Sequence, residues 1–140
     1  MAAVLVPVDG SENSMRAVQT TVKQIKSGAA MEIHLLNVQS ELPAIVSRSL
    51  SKTFIDTYQD EEGNKALSDA MALLDQAGIP FIPHSRIGQV AETIAAFAKE
   101  MQCEQIIMGV RGVGGIFGLL LGSVANKVLY LVDVPVTLVK

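Results

Sequence analysis

The sequence predicts an α/β protein with a doubly wound, mainly parallel five-stranded sheet and helices on both faces. Short, nearly continuous apolar runs indicate strands that are covered on both faces. Segments with apolar residues at helical spacing lie between these runs, and the two kinds alternate along the whole chain. Because such alternation produces right-handed crossovers, neighbouring strands are expected to run parallel.

Each element follows from its own local pattern. The predicted strands cover residues 3–8, 33–38, 81–87, 106–108 and 136–139. Apolar residues at helical spacing predict helices over 15–27, 67–77, 91–101 and 123–131. Residues 40–63 show no clear periodicity and contain Pro43 and several serines, so a mobile loop with room for a short helix is expected there.

Length and composition narrow the class of protein. The chain has 140 residues, which predicts a single domain over 1–140. A net charge of −3 without a dense Lys/Arg run argues against nucleic acid as a partner. The single cysteine, Cys103, excludes a disulfide within the chain and a cysteine-based metal site. No run approaches the ~20 apolar residues of a membrane span and no signal peptide is evident, so the expected compartment is the cytoplasm.

The glycine-rich stretch from Gly109 to Ser123 is the strongest functional signal. A predicted strand precedes it and a predicted helix follows it, which is the general design of a phosphate site. Glycines let the backbone approach a ligand closely, and the helix start supplies unpaired N–H donors. Ser123 could cap the helix or turn its hydroxyl to a phosphate. The alternative is a surface turn without a ligand.

Two common nucleotide motifs are absent. The P-loop pattern needs a lysine before the serine, but Leu121 and Gly122 stand before Ser123. The dinucleotide fingerprint should follow the first strand, where the chain instead reads Asp-Gly-Ser-Glu-Asn over residues 9–13.

A third pattern fits. Gly109, Gly112 and Gly122-Ser123 are separated by two and nine residues, and the first strand ends in Val-Pro-Val-Asp-Gly-Ser. In these motifs the chain resembles the ATP-binding branch of the universal stress protein family (UspA-like) over nearly its whole length. The resemblance implies a Rossmann-like sheet of the adenine nucleotide alpha hydrolase-like type, with strand order 3-2-1-4-5. It also implies a homodimer formed through the C-terminal strand Val136–Val139.

The resemblance further implies a site for ATP, or for AMP or ADP, position by position. Residues that would contact the nucleoside are Pro7, Val8, Asp9, Val38, Met108 and Gly109. Residues that would hold the phosphates are Gly112, Gly122, Ser123 and Val124, with Arg111 as a residue that could steer a phosphate. Asp9 is also the candidate for contact with a nucleotide-bound Mg²⁺.

Structural alternatives stand beside several of these roles. Asp9 could instead cap the first helix or its turn, and Val38 and Met108 could be plain core residues. His34 and His84 are expected at the surface or at a sheet edge rather than as ligands or bases. Cys103 is expected to be a partly buried, unreactive thiol.

Three functions remain open at this point. The first is an ATP-binding regulatory protein of the stress-response type. The second is a slow ATPase or phosphotransferase, which the sequence supports weakly because no catalytic residue can be named near the phosphates. The third is a dimeric interaction scaffold that binds no nucleotide, built on the apolar last strand.

Overall fold

The computed structural model describes residues 1–110 and 122–140, and these form a five-stranded parallel sheet flanked by helices. The strands are β1 (Ala2–Pro7), β2 (Met31–Gln39), β3 (Phe81–Ile87), β4 (Gln105–Gly109) and β5 (Val136–Val139). Their order in the sheet is β3-β2-β1-β4-β5, and every neighbouring pair is parallel. The predicted fold class and strand order are confirmed.

Helices cover the sheet on both faces. They are α1 (Glu12–Lys26), α2 (Ala44–Ser47), α3 (Lys52–Gln76), α4 (Val90–Glu100) and α5 (Ser123–Leu131). Successive residues of a strand point to opposite faces, so Val4 and Val6 of β1 pack with α1 and α3 while Leu5 packs with α4 and α5. The near-continuous apolar sequence of β1 follows from this double burial.

The expectation of a loop over residues 40–63 is wrong for its second half. α3 begins at Lys52 and runs for 25 residues, and Ser51 caps it by accepting a hydrogen bond from the Phe54 N–H at 3.1 Å. The buried residues of α3 begin only at Gln59, and Phe54 is exposed. Because the first two turns pack against little of the core, they carry no apolar periodicity for a sequence pattern to reveal. The short helix α2 agrees with the room left for one.

The expectation for the two histidines is also wrong in part. His84 lies on the edge strand β3, but His34 lies on the inner strand β2 and is only 2% exposed. The two rings face one another although fifty residues separate them in sequence. Cys103 is buried, in agreement with an inert thiol, and burial together with the nearby Glu32 raises its pKa.

The strand order indicates at which end of the sheet a ligand is expected to bind. The chain moves from β1 outward to β2 and β3, then crosses back to β4 on the other side of β1. Ligands of such sheets bind beyond the carboxyl ends of the strands at this reversal, here between β1 and β4. Among residues 1–110 and 122–140, no helix is long and apolar enough to cross a membrane.

Candidate functional site

A cavity of about 330 Å³ opens at the carboxyl ends of β1 and β4. Its volume falls within the range of roughly 300–1,000 Å³ that is usual for small-molecule sites. Nine of the eleven residues predicted for the site line it: Pro7, Val8, Asp9, Val38, Met108, Gly109, Gly122, Ser123 and Val124. The other two, Arg111 and Gly112, lie outside the described residues. The fold therefore brings together segments that are more than a hundred residues apart in sequence.

Sequence reasoning missed several lining residues. Ser11, Asn13 and Ser14 stand in the turn and first helical turn after β1, and their place directly after a strand was a usable signal. Leu36, Val90 and Ile94 carried no such signal, because they look like any other apolar residue of a strand or helix.

One wall of the cavity is polar and is organised around Asp9. The Asp9 Oδ1 atom accepts hydrogen bonds from the Ser11 N–H at 2.9 Å and from the Ser14 hydroxyl at 3.0 Å. Partial burial acts to raise the pKa of Asp9, but the hydrogen bonds from Ser11 and Ser14 outweigh it and hold the pKa below its ordinary value. The carboxylate is thus kept charged. Its hydrogen bonds stabilise the turn before α1, which is the structural alternative given above for Asp9.

The opposite wall is apolar. It is lined by the buried residues Leu36, Ile94 and Met108 and by the partly buried Val38. These side chains come from β2, α4 and β4, and only the packing of α4 over the sheet makes them neighbours. A planar apolar group of a ligand can be desolvated against such a surface.

The N-terminus of α5 forms the third side. Its N-cap is Gly122, with φ of 82° and ψ of 152°, and within residues 1–110 and 122–140 no side-chain hydrogen bond caps the helix. Ser123 is the first helical residue, so the alternative that Ser123 caps α5 is wrong. The first backbone N–H groups of the helix have no intrahelical acceptor and carry the positive end of the helix dipole. This end of the cavity is suited to an anion.

Gly109 is required here by packing. A Cβ built on Gly109 would lie 2.0 Å from the Asn13 carbonyl oxygen and 2.3 Å from the Asn13 carbonyl carbon. The first turn of α1 therefore rests directly on the backbone of β4. This contact sets the distance between the polar wall and the end of β4, whether or not a ligand touches Gly109.

The described side chains contain no metal cluster. Within residues 1–110 and 122–140, no group of three or more His, Cys, Asp or Glu residues is arranged to hold a metal ion. A cation at this site would need a ligand's own phosphates to complete its coordination.

A parallel sheet of order 3-2-1-4-5 with a partly apolar, partly anion-attracting cavity at its switch point is typical of nucleotide-binding α/β proteins. The universal stress protein family model matches residues 1–140, and this chain belongs to that family. It is 33% identical to the universal stress protein YxiE of Bacillus subtilis, over 98% of this chain and 97% of that protein.

Solved structures agree with this membership. The structure of hypothetical protein MJ0577 superposes with a TM-score of 0.80 at 27% identity, covering 99% of this chain and 95% of that one. A universal stress protein crystallised in complex with cAMP superposes with a TM-score of 0.74 at 24% identity, covering 99% and 97%. This second likeness concerns the fold.

Proposed function

We propose that this universal stress protein binds an adenine nucleotide, with ATP as the expected ligand, and acts as a nucleotide-dependent regulatory protein of the stress response. We place it in the cytoplasm as one domain over residues 1–140. The observation that carries the proposal is the cavity itself, which joins an apolar slot to the N-terminus of α5, whose N-cap, Gly122, has no side chain. A nucleotide presents the same two chemistries, a planar base and an anionic tail.

Magnitudes show why both halves are needed. Micromolar binding corresponds to about 8 kcal/mol. A charged hydrogen bond contributes about 1.5–3 kcal/mol, and a helix N-terminus adds roughly 0.3–1 kcal/mol. Two or three phosphate contacts therefore fall short once ordering costs are included. Burial of the base against Val38, Ile94 and Met108 would supply the remainder, which ties the proposal to this apolar wall.

The proposed roles follow the geometry. The base would lie against Val38, Ile94 and Met108, and the ribose would face Asp9 and the end of β1. The phosphates would meet the α5 N-terminus at Gly122 and Ser123. The Asp9 Oδ1 atom is already engaged by two hydrogen bonds, so only its second oxygen is available for a ribose hydroxyl or for a nucleotide-bound Mg²⁺. That a protein of this fold holds cAMP supports the adenine assignment.

The first experiment asks whether a nucleotide is present at all. The protein is purified without added nucleotide and denatured, and the supernatant is analysed by chromatography and mass spectrometry. Stripped protein is then titrated calorimetrically with ATP, ADP, AMP and cAMP, with GTP as the control for the base. We expect an adenine nucleotide with a micromolar Kd. No released nucleotide and no heat at millimolar concentrations of any adenine nucleotide would remove the proposal.

A glycine pair locates the phosphates. Gly122→Ala places a side chain on a residue that lines the cavity and has a φ of 82°. Gly28→Ala does the same at a φ of 109°, just after the C-terminus of α1. Neither Cβ would lie within 4 Å of another atom of residues 1–110 or 122–140. Both variants should therefore lose similar stability through backbone strain, about 1–3 kcal/mol. Only Gly122→Ala should weaken ATP binding, by tenfold or more, and equal affinities would contradict the phosphate position.

A homodimer through β5 is proposed as the working assembly. Within the part of the chain that the structure describes, β5 pairs with β4 alone, and its four residues are partly exposed. On α5, the element before β5 in the chain, Tyr130 is 88% exposed, and Leu129 and Leu131 are also exposed. An open apolar edge with such neighbours favours pairing with a second copy.

Light scattering should give twice the chain mass of 14.9 kDa. Leu138→Pro should give a folded monomer, because the Leu138 N–H points away from β4, and a wild-type monomer at 100 µM would contradict this assembly.

A further inference from the structure

Both histidines of the chain belong to one cluster, and neither of them lines the cavity. The His34 Nδ1 atom lies 2.9 Å from the His84 Nε2 atom, and the His34 Nε2 atom lies 2.7 Å from the Glu32 Oε1 atom. The chain has two histidines in all, so no other imidazole titrates in this protein. We call Glu32, His34 and His84 the histidine latch, because they join the inner strand β2 to the edge strand β3.

The hydrogen-bond pattern determines which atoms carry protons when both rings are neutral. The Glu32 carboxylate is 50% exposed and accepts, so His34 must donate from Nε2. A neutral His34 then has a lone pair on Nδ1, and His84 must donate to it from Nε2. In this arrangement both ring nitrogens of His34 and the Nε2 atom of His84 have a hydrogen-bond partner.

The latch can take up one proton without losing a hydrogen bond. If His34 becomes an imidazolium, its Nδ1–H donates to His84 Nε2, and His84 changes to its other tautomer. A second proton cannot be accommodated in the same way. Both facing nitrogens would then carry N–H groups 2.9 Å apart, with two positive charges on stacked rings whose centroids are 5.2 Å apart.

The surroundings also disfavour charge on His84. Its ring packs edge-on against Phe97 of α4, with centroids 4.6 Å apart, and the Arg86 guanidinium lies over the same phenyl ring. Desolvation by this packing, then the charges of His34 and Arg86, lower the pKa of His84, and Glu100 of α4 offsets part of the effect. The charged and titratable groups facing the latch are thus Arg86, Glu100 and, beside Glu32, the buried Cys103 thiol.

We propose that the histidine latch holds the edge strand β3 to β2 in a pH-dependent way. The His34–His84 hydrogen bond is kept while the two rings carry at most one added proton, and a second added proton breaks it. Opening would break the side-chain link from β2 to β3 and remove the ring that supports Phe97. It would thereby loosen β3 and α4 relative to the rest of the sheet. α4 also supplies Val90 and Ile94 to the cavity wall, so the loosened element borders the site without being part of the latch.

The sign and size of the effect follow from proton linkage. In the unfolded chain both histidines have the ordinary pKa of about 6.5 and take up two protons on acidification. The folded chain takes up at least one proton fewer, so its stability falls as the pH drops below that value. Between pH 7.5 and 5.5, one excluded proton raises the unfolding equilibrium constant about tenfold.

The test compares the wild-type chain with His84→Gln by urea denaturation at pH 7.5 and 5.5. A glutamine amide can donate to His34 or accept from it, so the variant keeps the hydrogen bond and removes the second proton site. We expect the unfolding constant of the wild type to rise about tenfold more than that of the variant. Equal pH dependence of the two proteins would overturn the proposal.

A second measurement decides the question even where His84→Gln fails to fold. The imidazole C–H resonances of the wild-type protein are followed by NMR from pH 8 to the acid end of the folded range. Total uptake of no more than one proton by the two rings supports the latch. Two independent titrations with midpoints near 6.5, leaving the folded spectrum unchanged, would overturn it.

Discussion

Gly109→Ala is the substitution that separates packing from ligand contact most sharply. The added methyl group would lie 2.0 Å from the Asn13 carbonyl oxygen, 2.3 Å from the Asn13 carbonyl carbon and 2.9 Å from the Ser14 nitrogen. Contacts of a Cβ below 3.0 Å are essentially never found, so the backbone must separate by about 1.0 Å. All three atoms belong to the main chain, and no rotamer change can relieve the contact.

The magnitude follows from what must move. The atoms belong to the first turn of α1, whose next turns place Ala17 and Val18 in the core against the sheet. Displacing this end of the helix disturbs close packing, which costs about 1–3 kcal/mol and more where the backbone itself is blocked. We therefore expect a loss near 3 kcal/mol in the free energy of unfolding.

Urea denaturation at 25 °C measures this loss, and Gly63→Ala is the matched control. Gly63 lies inside α3, and a Cβ there would be at ordinary contact distance, 3.4 Å from Asn37 Oδ1. Since alanine is favoured over glycine inside a helix by up to about 1 kcal/mol, the control should be neutral or more stable. A loss below about 1 kcal/mol for Gly109→Ala would refute the packing argument. Unchanged stability with lost ATP affinity would instead assign Gly109 to the ligand.

Three further predictions test the described contacts. The lowered pKa of Asp9 means that its carboxylate contributes stability above pH 3.8, lost as the pH falls through the folded pKa. Asp9→Asn should therefore show a flatter acid limb in thermal denaturation, and an unchanged limb would contradict the role of its hydrogen bonds. Burial and Glu32 raise the pKa of Cys103, so the native thiol should react with a disulfide reagent at least tenfold more slowly than the urea-unfolded thiol. Equal rates would show that the thiol is accessible. The Lys127–Glu92 ion pair between α5 and α4 is 2.7 Å long but largely exposed, so Lys127→Ala should cost less than about 1 kcal/mol in urea denaturation. A larger loss in the free energy of unfolding would mean that the pair contributes substantially to holding α5 against α4.

Much of the fold could be predicted because the dominant signal is local. Strands buried on both faces must be apolar throughout, and the helices between them must carry an apolar stripe. The glycine-rich stretch was recognisable for the same reason, since it stands between a predicted strand and a predicted helix start in the sequence. The helix over 52–63 was missed because its exposed turns carry no stripe, and its capping serine, Ser51, stands among other serines.

The sequence alone determined the order of elements, the class of sheet and the chain segments that lie at the carboxyl ends of its strands. Each of these follows from a pattern of residues that are close together in the chain. Only the tertiary structure decided that Ile94 of α4 lines the same cavity as Val38 and Met108, that the first turn of α1 packs on Gly109, and that His34 contacts His84. These are contacts between residues far apart in the chain. Periodicity shows which face of an element is buried but not which residue lies opposite it, and that depends on how the helices settle on the sheet.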